Sequence, residues 1–275
     1  MDLGIKPDAA VVDINESNTF YDLTEGWLIH IPSGSITYQS GKVYSGKLKI
    51  EYLSISDYDL NLLQAPSTWS GQDPLAVKRM FYYKLSLEEI GLKIDQPIFL
   101  IKSEAQEGPR GGMVLSYDKD KKDWVEADQK MRFSFDKWTV AENEGSREIS
   151  GFRIPILTDE QWTLSFDSND NNYYYDKNIH VKLPQQFNSK NTIALLFSLE
   201  NKQLLKLNGN KNNSTFTADK YRFDAKSNYR ILTFSDLGEG GYYFGMTNVL
   251  ESKITYNIVI ESVSKEELIK RLSEL

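Results

Sequence analysis

Polar and apolar positions alternate along much of this chain. In residues 47–52, Leu48, Ile50 and Tyr52 point one way, and Lys47, Lys49 and Glu51 point the other. A period of two with one apolar and one charged face predicts a strand of a sheet with one wet side. Gly41 and Gly46, each preceded by a serine, supply turn residues just before it. Residues 92–101 predict a further strand, interrupted at Pro97, which has no N–H to donate to a ladder. Residues 113–117 and 124–127 are apolar runs around the polar turn 118–123, the pattern of a hairpin. Residues 150–156 close the first half. Beyond them, Ile179, Val181 and Leu183 alternate with Asn178, His180 and Lys182. Residues 193–199 are apolar apart from Ser198, which predicts a strand covered on both faces. Residues 229–234, 242–247 and 253–260 follow as strands.

One helix is legible, at the end. Ser264 is placed as its N-cap, and Glu267 three residues later completes a capping box. Leu268, Ile269, Leu272 and Leu275 then form an apolar face that seals a sheet of its own domain. Many short strands with little helix between them predict an all-β chain of two β-sandwich domains, not a strand–helix alternation. Pro155, followed by Asp159 and Glu160, marks the expected division into domains 1–155 and 156–275.

Composition narrows the chemistry. The net charge is −7, from 39 acidic and 32 basic residues, which opposes non-specific binding to nucleic acid. There is no cysteine, so disulfides, thiolate catalysis and cysteine metal sites are excluded. No apolar run is long enough for a transmembrane helix. The first residues lack the basic start and apolar run of a signal peptide. Aromatic residues make up 12% of the chain, and they favour pleated, half-buried surfaces.

A family resemblance adds to this reading. Residues 26–36, with Ile31-Pro32 followed by Ser33-Gly34-Ser35-Ile36, resemble the core segment of ZU5-like domains. More specifically they are similar to exported β-sandwich proteins and lipoproteins of Bacteroidetes-type bacteria, in which a glycine turn and an alternating strand follow. Here these are Gly41 to Glu51. At Lys78-Arg79 the chain departs from the glycine pair usual in that group. Residues 151–155, 162–167, 191–194 and 240–243 resemble the partner domain, with Ser165 near the place of its usual cysteine. The resemblance implies a ZU5-like sandwich followed by an Ig- or transthyretin-like one. It also implies export to the periplasm or outer membrane, and leaves room for a lipid anchor outside this chain. It transfers no catalytic residue, and the His-Phe-Ser step at which some ZU5 domains cleave themselves is absent.

Candidate chemistry is sparse. His30 and His180 each sit in a strand opposite apolar neighbours and read as half-exposed strand residues, not as a site. No Gly-x-Ser-x-Gly elbow occurs. Asp167, Asn169 and Asp170 space oxygen ligands as a calcium loop does, but Asn172 and Asn178 stand where an EF-hand needs Gly and Glu. Gly108, Gly111 and Gly112 form a loop without the Lys-Ser/Thr of a phosphate cradle. Consecutive aromatics in a strand point to opposite sides, so runs 81–83, 173–175 and 242–244 cannot bury every ring in one core. Tyr82, Tyr174 and Tyr243 are therefore binding candidates, together with Trp69 in the polar stretch 66–72. The expected function is a non-enzymatic cell-envelope protein, without cofactor or metal, that binds protein or glycan or serves assembly. A glycan-binding module using exposed aromatics is the first alternative, and a carboxylate-based glycoside hydrolase the second, because paired acids are set in three dimensions.

Overall fold

A computed structural model describes residues 7–14, 19–23, 26–55, 65–87, 91–104, 113–142, 145–166, 174–198, 202–237 and 242–274. The chain is all-β, with a single short C-terminal helix at Lys265–Ser273. Among the described residues, four larger sheets carry it, beside two two-stranded ones, Ile36–Tyr38 with Leu92–Ile94 and Trp69–Ser70 with Asp73–Pro74. The first has the spatial order Ser134–Glu142, Gly145–Ile156, Ile98–Ser103, Trp27–Ile31 and Thr19–Asp22. The second runs Asp8–Ile14, Gly46–Ile55, Val77–Leu87, Glu160–Phe166, Met113–Asp118 and Asp123–Glu126. The third runs Gln203–Lys206, Thr192–Ser198, Arg230–Asp236, Tyr242–Asn248 and Glu261–Val263. The fourth runs Asn208–Gly209, Thr215–Asp224, Tyr174–Lys182 and Thr255–Asn257.

Three apolar cores stack these sheets in that order. Ile29, Leu100 and Ile154 of the first sheet meet Leu48, Tyr52 and Phe81 of the second. Met80, Tyr82 and Leu164, on the other face of the second sheet, meet Phe197, Leu232 and Phe234 of the third. Leu196 and Ile231, on the far face of the third, meet Val181, Phe216 and Phe223 of the fourth. The two middle sheets are thus apolar on both faces. The strand Gly46–Ile55 shows the change along its own length. Leu48, Ile50 and Tyr52 alternate as the pattern predicts, and then Tyr52 and Leu53 are both buried because a core lies on each side.

Local chemistry sets several of the turns. The hairpin between Met113–Asp118 and Asp123–Glu126 closes where the Asp118 carboxylate accepts the Asp120 and Lys121 N–H groups, each at 3.0 Å. The predicted strand over 92–101 divides into Leu92–Ile94 and Ile98–Ser103, with the break at Pro97. Ser264 Oγ accepts the Glu267 N–H at 3.1 Å, a working N-cap.

Three expectations need correction. Pro155 is no boundary: it lies inside the strand Gly145–Ile156, opposite Phe99. The strand Glu160–Phe166, placed in the second domain by the expected division at 155, pairs instead between Val77–Leu87 and Met113–Asp118 of the second sheet. The change of sandwich therefore falls between Phe166 and Tyr174, because the second sheet needs this strand to join its two halves. The helix also differs. Leu268 and Leu272 enter the core shared by the two sandwiches, while Ile269, expected on the same face, is exposed.

Candidate functional site

The sequence-selected aromatics are mostly structural. Trp69 is only 3% exposed. Its indole N–H donates to the Arg222 carbonyl at 3.1 Å, and its ring packs near Phe223 and Tyr229. The polar stretch around it is not a free loop. Thr68 N–H donates to the Leu204 carbonyl, and the Leu204 N–H donates to Thr68 Oγ1, so this segment is pinned to the second sandwich and carries Trp69 into its core. Tyr82 is buried between the second and third sheets, its ring centroid 4.7 Å from that of Trp162. Burial, with Glu160 and Glu51 nearby, pushes its phenol well above the ordinary tyrosine range. The premise that Trp69 and Tyr82 face solvent is overturned, because a second sandwich covers the positions that a single sandwich would leave bare. Tyr174 is half-buried under the Arg222 guanidinium, 5.2 Å from the ring centroid. Tyr243 is half-buried against Phe187. These four residues do not meet in one place: they belong to different sheets and cores. Asp167, Asn169 and Asp170 lie outside the described residues, as do Gly108, Gly111 and Gly112.

A different face gathers aromatic rings without a covering sheet. The outer side of the first sheet carries Phe20, His30, Phe99, Trp138 and Arg153. Cross-strand register puts Phe20 opposite His30 and His30 opposite Phe99. The rings stack accordingly: Phe20 and His30 lie 4.1 Å apart and 3° from parallel, and His30 and Phe99 lie 5.9 Å apart at 20°. The Arg153 guanidinium carbon sits 3.6 Å from the Phe99 ring centroid, a close cation–π contact. On the other flank, Trp138 is paired opposite Ile149. Beneath the rings, Leu28, Ile101 and Ile149 are buried, although among the described residues no further sheet lies over them. The rings themselves provide the cover and remain half-exposed.

Between the two flanks lies a depression of about 350 Å³, lined by Phe20, His30, Ile101, Asp136, Trp138 and Arg153 among others. Asp136 accepts the Ser134 hydroxyl at 2.8 Å. Burial, and secondarily the Arg153 charge, hold His30 below its ordinary pKa, so the ring in the stack is neutral near pH 7. Gly151, between Ile149 and Arg153 on the same strand, is required by packing. A Cβ there would collide with the Lys102 carbonyl, so the neighbouring strand can approach only a glycine.

His30 is flanked by a ring on each side of its stack. The other histidine, His180, places Nε2 2.9 Å from Asp219 Oδ1 on the surface of the fourth sheet. Among the described residues, no group of three or more acidic or histidine side chains is placed to hold a metal ion. Of the three acids around a hollow at Tyr117 and Gln161, two are tied to lysines: Glu160 to Lys119 at 2.8 Å and Asp118 to Lys121 at 3.3 Å. Backbone N–H donation from Lys121 moves the Asp118 carboxyl downward, opposite to what a catalytic acid requires.

Sequence reasoning passed over this face. The sequence shows His30 as a half-exposed strand residue opposite Ile29 and Ile31, and the structure agrees, but it does not show the rings beside it. The overlooked signal is that the strands Trp27–Ile31 and Ile98–Ser103 are apolar on both sides, with Leu28, Phe99 and Ile101 on the second side. Comparison with known protein families, curated proteins and solved structures returned no match.

Proposed function

We propose that this chain is a non-catalytic binding protein of a bacterial cell envelope and that it captures its ligand on the outer face of the first sheet. One observation carries the binding reading: a register-matched stack of Phe20, His30 and Phe99, capped by Arg153, beside a depression that Trp138 walls on the other side. Rings of this kind combine an apolar face with specific geometry, which suits recognition. Small-molecule sites are mostly apolar clefts with a few placed polar groups, and this depression has that composition. The envelope location draws its support from the resemblance of residues 26–51 to exported ZU5-like proteins.

The test is a backbone amide NMR map of the labelled protein against fractionated envelope saccharides and peptides. Shifts clustered on strands Trp27–Ile31, Ile98–Ser103 and Ser134–Glu142 are expected. Shifts confined to the second sandwich would move the site elsewhere, and steady turnover of any fraction would overturn the non-catalytic reading.

A further inference from the structure

We infer that the depression on the first sheet takes an acidic saccharide, with the sugar ring against the aromatic walls and its carboxylate on Arg153. The inference rests on the binding reading above and narrows its ligand. The Arg153 guanidinium carbon sits 3.6 Å from the Phe99 ring centroid, a cation–π contact that holds the side chain against the ring beside the depression. Among the described residues, no carboxylate lies within ion-pair distance of it. A guanidinium matches a carboxylate through two parallel N–H···O bonds.

The charge around the depression agrees. Arg153 supplies a cation to it, beside the Asp136 carboxylate, while His30 stays neutral and Lys137 alternates to the other side of its strand. This cation stands on a chain whose net charge is −7. An anionic ligand is drawn to this face and repelled by most of the remaining surface.

Size and polarity select a sugar. At about 350 Å³ the depression is near the lower end of small-molecule sites, too small for a folded partner. Ile101 is buried in its lining, with Phe20 and Trp138 as apolar walls. Asp136 provides oxygen acceptors for hydroxyl groups: Ser134 donates to one Asp136 oxygen and leaves the other for a ligand. A purely aromatic acid would satisfy the rings and Arg153 but leave these acceptors without donors, which costs binding free energy.

Isothermal titration and amide NMR with glucuronate- and galacturonate-containing oligosaccharides, their neutral glucose and galactose counterparts, and benzoate test this. The acidic sugars are expected to bind at least roughly tenfold tighter than the neutral ones, as a charge-assisted contact implies. Arg153→Gln should bring that ratio close to one, and Arg153→Lys should restore only part of it, because an ammonium cannot form the paired contact. Trp138→Ala should weaken acidic and neutral sugars alike. Circular dichroism and urea unfolding verify that each variant folds. Equal, Trp138-dependent binding of neutral and acidic sugars would overturn acid selection and leave the binding function standing. Benzoate binding as tightly as the uronates would overturn the saccharide assignment. No shift on this face with any of these probes overturns the inference. The broader binding reading falls only if the envelope fractions also leave the face unshifted.

Discussion

Tyr82 and Phe99 begin alike: each is an aromatic strand residue between apolar neighbours. Tyr82 looks out from the second sheet and meets Trp162 and the third sheet, so its ring is buried. Phe99 looks out from the first sheet and meets His30 and Arg153, with no sheet beyond. The interior between the sandwiches and the outer face of the first sheet are both rich in rings. They differ in whether another layer arrives to cover them. Where one does, rings become core and hold the two sandwiches together. Where none does, rings cover each other and stay half-exposed. The same contrast separates Trp69 from Trp138. The tryptophan in a polar stretch, in a two-residue strand paired with Asp73–Pro74, is core, and the one on the outer strand of the first sheet is half-exposed.

The largest expected effect breaks this contrast directly. Trp69→Ala should cost about 3–5 kcal/mol in urea unfolding, the range for deleting a large buried aromatic. Trp138→Ala should cost about 1 kcal/mol, since its ring is partly in water. Comparable losses from the two would erase the distinction between covered and open rings.

Next in size, Leu272→Ala should cost about 2–5 kcal/mol, because Leu272 enters the core between second and third sheets. Fluorescence and far-ultraviolet circular dichroism should still report one coincident transition, since that core belongs to both sandwiches. Two separated transitions in the variant would show that the shared core does not couple them.

The smallest effect sharpens the open face. The His30 ring protons should titrate below the ordinary histidine range in NMR, chiefly through burial and then through Arg153. Arg153→Gln should move the titration part of the way back. The unfolded chain then binds more protons than the folded one as pH falls below the ordinary value of 6.5. This histidine therefore withdraws stability on acidification through that window and contributes no change above it. A smaller acid loss in Arg153→Gln than in the wild type is expected when urea midpoints are compared at pH 7 and pH 5.

Much of the local structure could be read from the residues. The alternation of Leu48, Ile50 and Tyr52, the hairpin closed by Asp118, the break at Pro97 and the Ser264 cap all depend on neighbours within a few positions. The boundary near Pro155 could not be read that way. Whether Glu160–Phe166 belongs to the first or second sandwich depends on pairing with Val77–Leu87, some eighty positions earlier. The ring-lined outer face of the first sheet was hidden for a related reason. Leu28, His30, Phe99, Ile101, Trp138 and Arg153 come from four strands, and nothing in the spacing along the chain says that register will align them.

By itself the sequence determined the β character, the strand periods, the turns, the helix cap, and the absence of thiol chemistry. These follow from side-chain geometry and short-range hydrogen bonding. Only the tertiary structure decided which apolar faces are covered. Strand alternation states that a side chain leaves the sheet on a given side; it carries no information about what waits there. For Tyr82 and Trp69 a second sandwich waits. For Phe20, His30 and Trp138 there is solvent, and that difference marks the face on which this protein is proposed to bind.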